Sequence, residues 1–95
     1  MRITIKLAKA LTRFTDNNKT INYELGEENL DLGSLLALLD KEYDGLKEAL
    51  CENGPEIVDS INIYVNGENV RYIAGLRTAI HDGDQINIIP AAAAG

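Results

Sequence analysis

The sequence has one cysteine, one histidine, one phenylalanine, two prolines and no tryptophan in 95 residues. Cys51 alone cannot close an internal disulfide. Without a second cysteine there is also no thiolate pair for a structural zinc site. The ordinary role of a lone cysteine is as a small side chain in the core or on the surface. A reducing, cytoplasmic compartment is the simplest expectation for such a chain. No apolar run approaches the roughly 20 residues a membrane-crossing helix needs. The opening stretch MRITIKLAKAL is interrupted by Lys6 and Lys9 before it reaches the length of a signal-peptide apolar region, so no secretory leader is expected. Positive charge is scarce as well: 9 Lys and Arg face 15 Asp and Glu, for a formal net charge of −6. That balance argues against a nucleic-acid binder and against docking on anionic lipid, and a basic protein partner suits it better. The sequence contains no P-loop, no dinucleotide fingerprint, no nucleophilic triad and no internal repeat. Asp82-Gly83-Asp84 lacks the spacing of a calcium loop, and His81 beside it reads as a turn residue rather than a catalyst.

What is present fits one small globular unit. Apolar residues make up 45% of the chain, an ordinary share for a single core. RITIKL alternates, with Ile3, Ile5 and Leu7 on one side and Arg2, Thr4 and Lys6 on the other, as a half-buried strand does. TINYEL alternates too, through Ile21, Tyr23 and Leu25. Asp16-Asn17-Asn18 between them is a cluster of turn formers, so the pair reads as a hairpin with a longish connection. The acid-rich run from Glu24 to Asp31 reads as a solvated loop rather than a metal site.

The period then changes. Leu32, Leu35, Leu36, Leu39 and Tyr43 form one helical stripe, with Asp31 placed to cap its start and Gly45 to end it. A second short helix over LKEALCE follows, with Leu46 and Leu50 facing the core and Asn53-Gly54-Pro55 stopping it. INIYV returns to strand: Ile61, Ile63 and Val65 point inward, Asn62 and Tyr64 outward. Asn66-Gly67 supplies a tight turn, and Val70 begins a short return segment. LRTAIHDGD reads as a loop, and Asp82-Gly83 turns the chain into the last strand, QINII. Strand, strand, helix, strand, short strand, strand is an α+β order. It predicts a β-grasp, or ubiquitin-like, fold: a mixed sheet of four to five strands covered on one face by one main helix. Residues 1–90 form that domain, and 91–95 a flexible C-terminal tail.

The stretch INIYVNGENVRYIAGLRTAIHDGDQINIIPA carries more than its pattern. Its strand, its Asn-Val-Arg turn, its LRTAIHDGD loop and its IIPA strand end come in an order that resembles the C-terminal half of the MoaD/ThiS family of ubiquitin-like sulfur carriers, and especially the CysO-type carriers of cysteine biosynthesis. The resemblance implies a definite chemistry at Gly95. In that family the terminal glycine carboxylate is adenylated with ATP by a partner related to the ubiquitin-activating (E1-like) enzymes, and is then converted to a thiocarboxylate that donates sulfur. The carrier is a protein co-substrate, not an enzyme, and it binds no cofactor or metal; the ATP is used by the partner. In the cysteine branch the sulfur-accepting partner is a cysteine synthase-like enzyme, and a metalloprotease then releases the product. The tail Ala91, Ala92, Ala93, Ala94, Gly95 carries the carboxylate to the partner. Fully extended, it spans at most roughly 17 Å at about 3.4 Å per residue, and its small side chains suit a narrow channel.

The chain departs from the family at one point: Ala94-Gly95 stands where the family ends in Gly-Gly, adding a methyl and removing glycine's access to positive φ. The partner-docking candidates are Ile89, an apolar residue on the polar side of the last strand, and Tyr64, outward on the neighbouring strand. Arg71, in the Asn-Val-Arg turn, and Arg13 join them, with Arg77 a weaker cation of the same kind. Three alternatives stay open: the small subunit of molybdopterin synthase, whose tail enters a large catalytic subunit; a ubiquitin-like protein modifier; and a β-grasp interaction module with an inactive tail.

Overall fold

The computed structural model describes residues 1–26, 29–51 and 56–91. In chain order the elements are β1 (Arg2–Leu7), β2 (Thr20–Glu24), β3 (Leu30–Asp31), α1 (Leu32–Glu42), α2 (Leu46–Cys51), β4 (Ile61–Val65), β5 (Glu68–Asn69), β6 (Ala79–Ile80) and β7 (Gln85–Pro90). Five strands form one mixed sheet in the order β2-β1-β7-β4-β5. β1 and β7 run parallel at its centre, and every other pairing is antiparallel. The β-grasp expectation therefore holds, with five strands and one main helix.

Alternation and helical period decide which faces meet. Ile3, Ile5, Ile63, Ile86 and Ile88 are buried on one side of the sheet, against Leu32, Leu35, Leu36 and Leu39 of α1 and Leu46 and Leu50 of α2. Asp31 caps α1, its Oδ1 accepting the Ser34 N–H at 2.7 Å. At the other end the Tyr43 N–H closes on Leu39 O, so Tyr43 caps the helix and lies half-buried beyond its last turn. Gly45 takes φ +92° in the turn that follows. Asp40 Oδ1 accepts from the Gly45 and Lys47 N–H groups at 3.1 and 3.0 Å, which joins the end of α1 to the start of α2. The stop expected at Asn53-Gly54-Pro55 lies outside the described residues.

Four local expectations are corrected. The β1–β2 connection is not all turn: Lys9–Phe14 form a 3₁₀ helix that buries Leu11 and Thr12, and six residues of that period leave little signal in a sequence. Val70 does not begin the return strand. β5 precedes it, and Val70 starts a 3₁₀ turn capped by the Asn69 side chain, which accepts the Arg71 N–H at 2.9 Å. LRTAIHDGD is not all loop: Gly75–Arg77 form another 3₁₀ turn that runs into it, and Ala79–Ile80 pair with Leu30–Asp31 as a separate two-stranded sheet. The acid-rich run from Glu24 thus ends in a strand whose Leu30 is buried; Glu27 and Glu28 lie outside the described residues. Two-residue strands cannot declare themselves by alternation, and only their long-range partner makes them strands.

Candidate functional site

The chain leaves the last strand at one edge of the main sheet. Because β1 and β7 are parallel, with Leu7 opposite Ile88, both strands end at the same edge. There the Ala8 N–H donates to Ile88 O at 3.0 Å, and the 3₁₀ helix Lys9–Phe14 begins beside β7. β4 starts at this edge, with Ile61 opposite Pro90. One residue further on, the Ala91 N–H donates to Ser60 O at 2.8 Å. Ala91, assigned to the tail on sequence grounds, is thus still bonded to the turn that leads into β4. Ala92, Ala93, Ala94 and Gly95 lie outside the described residues.

Around this root the structure brings three of the expected docking residues together. Ile89 is opposite Asn62, and Tyr64 is opposite Asn87, so Ile89 and Tyr64 are diagonal neighbours on the outer face of the sheet. Ile89 is 36% exposed, and Tyr64 is half-buried. Arg71 reaches the same place from the 3₁₀ turn after β5. Its Nε lies 3.4 Å from Asn62 Oδ1, and its Nη2 donates to Ile61 O at 2.7 Å and to Val58 O. The guanidinium therefore ties down the turn that carries Ser60, the partner of Ala91. Its contact with Asp59, 3.7 Å away on a fully exposed side chain, adds little.

Arg13 sits apart from these three, on the 3₁₀ helix at the other side of the tail root. Its guanidinium lies 4.7 Å from the Phe14 ring centroid and donates to Ala10 O at 3.2 Å. Phe14, Gly45, Glu48, Ala49, Val58 and Ser60 line an open groove beside it. Sequence reasoning missed Ser60, Asn62 and Phe14. Asn62 could have been found by placing it opposite Ile89, whereas Ser60 and Phe14 carry no signal until the strands are paired.

The opposite edge of the sheet is a rigid corner. Asp84, buried, accepts from the His81 N–H at 2.7 Å and the Asn66 amide at 2.8 Å, and Asn66 Oδ1 accepts the Gln85 N–H at 2.9 Å. His81 thus belongs to a turn. Arg77 lies with His81 and Asp31 around a shallow groove at β3 and β6, away from the tail root. The Asp31 carboxyl is held below its usual pKa, first by the Ser34 backbone N–H and also by the Ser34 hydroxyl, with Arg77 a minor contributor. Burial pushes the Cys51 thiol up, partly offset by Lys47. Among the described residues no group of three His, Cys, Asp or Glu side chains could hold a metal ion, and no helix is long and apolar enough to cross a membrane.

Residues 13–95 match the model of the ThiS family. The chain belongs to the ThiS family. Among ThiS-like relatives, it is 36% identical over 97 aligned residues to the sulfur carrier protein CysO of Mycobacterium tuberculosis, an alignment that spans all of both chains. It is also 36% identical over 69 residues to small archaeal modifier protein 3 of Haloferax volcanii, covering 73% of this chain and 74% of that one. In structure, it superposes on a chain of the Amycolatopsis orientalis BexX/CysO complex with a TM-score of 0.84 at 27% identity, covering 98% of this chain and 99% of the other. The protein is thus a ubiquitin-like domain of the kind its ThiS-family relatives use as sulfur carriers.

Proposed function

We propose that this protein is a sulfur carrier whose Gly95 carboxylate is adenylated by an E1-like partner and converted to a thiocarboxylate. The observation that carries this reading is the full-length similarity to a CysO carrier, within a family match that runs through Gly95. A free carboxylate is a poor electrophile. Its attack on the α-phosphate of ATP releases pyrophosphate and leaves an acyl-adenylate; a hydrosulfide-level donor then displaces AMP and leaves sulfur in place of one oxygen. No side chain of the carrier takes part in either step. What the chain contributes is a rigid body and an anchored exit: Ala91 tied to Ser60, and the 58–61 turn tied to Arg71. Ile89 and Tyr64 provide the contact surface next to that exit.

Cysteine biosynthesis is the favoured pathway, following the CysO relative. There the thiocarboxylate sulfur bonds to the β-carbon of an activated serine held by a cysteine synthase-like enzyme, and the serine's activating group leaves with its oxygen. The acyl group shifts from sulfur to nitrogen, and a metalloprotease hydrolyses the resulting amide. The similarity to a small archaeal modifier protein supports a second use of the same acyl-adenylate, attack by a lysine amine to form an isopeptide bond.

The test is the intact mass of the chain after incubation with an E1-like adenylating enzyme, ATP and a sulfide donor. The expected result is the gain of one sulfur-for-oxygen exchange, mapped to Gly95. An unchanged mass in both the native chain and an Ala94→Gly variant would overturn the reading. A gain in Ala94→Gly alone would mean that the methyl at Ala94 disables this tail. Higher-mass conjugates through Gly95, with no sulfur gain, would establish the modifier use instead.

A further inference from the structure

The net charge of −6 conceals a strong segregation. The first 20 residues hold five of the nine cations, Arg2, Lys6, Lys9, Arg13 and Lys19, and only one of the fifteen acids, Asp16. Arg2 is at the far end of β1 and pairs with Glu24 at 3.1 Å. The other four converge on the edge where the tail leaves. Lys6 is near the end of β1, on the outer face, opposite Asn87 of β7 and Thr20 of β2. Lys9 and Arg13 belong to the 3₁₀ helix that starts where Ala8 bonds to Ile88. Lys19 lies beside the same edge, its carbonyl accepting the Leu7 N–H at 2.9 Å. All four are exposed, and among the described residues none of them forms an ion pair.

We propose that Lys6, Lys9, Arg13 and Lys19 form a cationic collar around the tail root that docks on an acidic protein surface rimming the partner's tail-receiving site. This reverses, at the point of contact, the basic partner suggested by net charge alone. A partner that receives Ala92 to Gly95 must come within a few residues of this edge. That distance is of the order of the Debye length, about 8 Å at physiological ionic strength, so the local charge governs the approach. Four exposed cations there, with Arg71 beside the 58–61 turn, outnumber the acids Asp16, Glu48 and Asp59 of the same end and give a positive face on an otherwise acidic body. Such an arrangement orients the carrier tail-first and raises the encounter rate with a complementary surface. A nucleic acid or an anionic membrane fits less well, because a long polyanion extending past the collar meets the 14 acids of the remaining chain. The partner's role, though not the collar's charge preference, rests on the carrier reading above.

Two experiments test the proposal. In the first, the ¹⁵N-labelled chain is titrated with poly-L-glutamate, and in parallel with a duplex DNA oligonucleotide and with phosphatidylglycerol vesicles. Shift changes centred on residues 6–9, 13, 19 and 88–91, strongest with poly-L-glutamate and suppressed by added salt, are expected. Changes that are absent or scattered over the whole chain overturn the proposal. So do changes larger with DNA or vesicles, and changes at the collar that grow with protein concentration alone, which would make the occupant a second copy.

The second experiment compares ATP-dependent activation of the native chain with that of a variant carrying Lys6→Gln, Lys9→Gln, Arg13→Gln and Lys19→Gln, with Lys41→Gln/Lys47→Gln as the control. The collar variant should lose about tenfold or more in kcat/KM for the carrier, and most of its salt dependence, at unchanged kcat. An unchanged kcat/KM overturns the collar while leaving sulfur carrying intact. If the native chain itself is not activated, the carrier reading fails, and the titration still decides the collar.

Discussion

Replacing Arg71 by Ala tests its internal role at the tail root, through stability and exchange measured on the chain alone. The guanidinium bonds to two backbone carbonyls, Val58 O and Ile61 O, and more weakly to the Asn62 side chain at 3.4 Å. A hydrogen bond from a charged donor contributes about 1.5–3 kcal/mol when it is well buried. The Arg71 side chain is 30% exposed, and water can reach the freed carbonyls, so the pair together is worth the lower part of its range, about 2 kcal/mol. With a urea m-value near 1 kcal/mol/M, the unfolding midpoint should fall by about 2 M. The melting temperature should fall by about 10 °C.

The position of the loss matters as much as its size. The 58–61 turn presents Ser60 O to the Ala91 N–H, so hydrogen exchange at the Ala91 amide should accelerate more than at the β1 and β7 amides of the core. Arg71→Lys should recover only part of the loss, because an ammonium cannot reproduce the guanidinium fork on two carbonyls. If Arg71→Ala changes stability by less than about 0.5 kcal/mol and leaves Ala91 exchange unaltered, Arg71 does not anchor the tail root.

Three further outcomes follow from the same geometry. Asp31→Ala should cost about 1 kcal/mol through loss of the α1 cap. Because the folded-state pKa of Asp31 is lowered, its contribution is full above the ordinary carboxylate pKa and lost as pH falls through the folded value, so acid unfolding curves of native and variant chains should converge at low pH. Cys51, buried and with its thiol pKa raised, should alkylate with iodoacetamide far more slowly in the folded chain than in urea. Its ionisation should erode stability only above the ordinary thiol pKa, as pH rises through the folded value, and Cys51→Ala should remove that alkaline decline. Ile86→Ala, at a fully buried position of the central parallel pair, should destabilise by about 2–5 kcal/mol in a denaturant titration; a loss below 1 kcal/mol would mean that the core beneath β7 collapses to fill the gap.

The regular elements were legible because each has a period long enough to see. Six residues of RITIKL and five of INIYV alternate, and Leu32, Leu35, Leu36 and Leu39 recur at helical spacing; the structure buries those leucines and the apolar side of each strand. The Asp31 cap and the Asn66-Gly67 turn, with positive φ at both residues, are local devices and were legible for the same reason. The 3₁₀ segments were not, because so short a period leaves little signal, and neither were the two-residue strands β3 and β6, whose identity depends on a partner 50 residues away, Leu30 with Ile80.

The chain's own order of residues therefore determined its fold class, its core faces and, through the motif series ending in IIPA, its family. Tertiary structure decided what surrounds the exit of the tail. Pairing β1 parallel to β7 brings the cations of the first 20 residues to the edge where the last strand ends, and pairing β4 antiparallel to β7 brings Ser60 to Ala91 and Arg71 beside Ile89. Hydrophobic periodicity is a local property that any short window reveals. Electrostatic and hydrogen-bonded neighbourhoods are set by strand register between distant segments, and exist only once the sheet has closed.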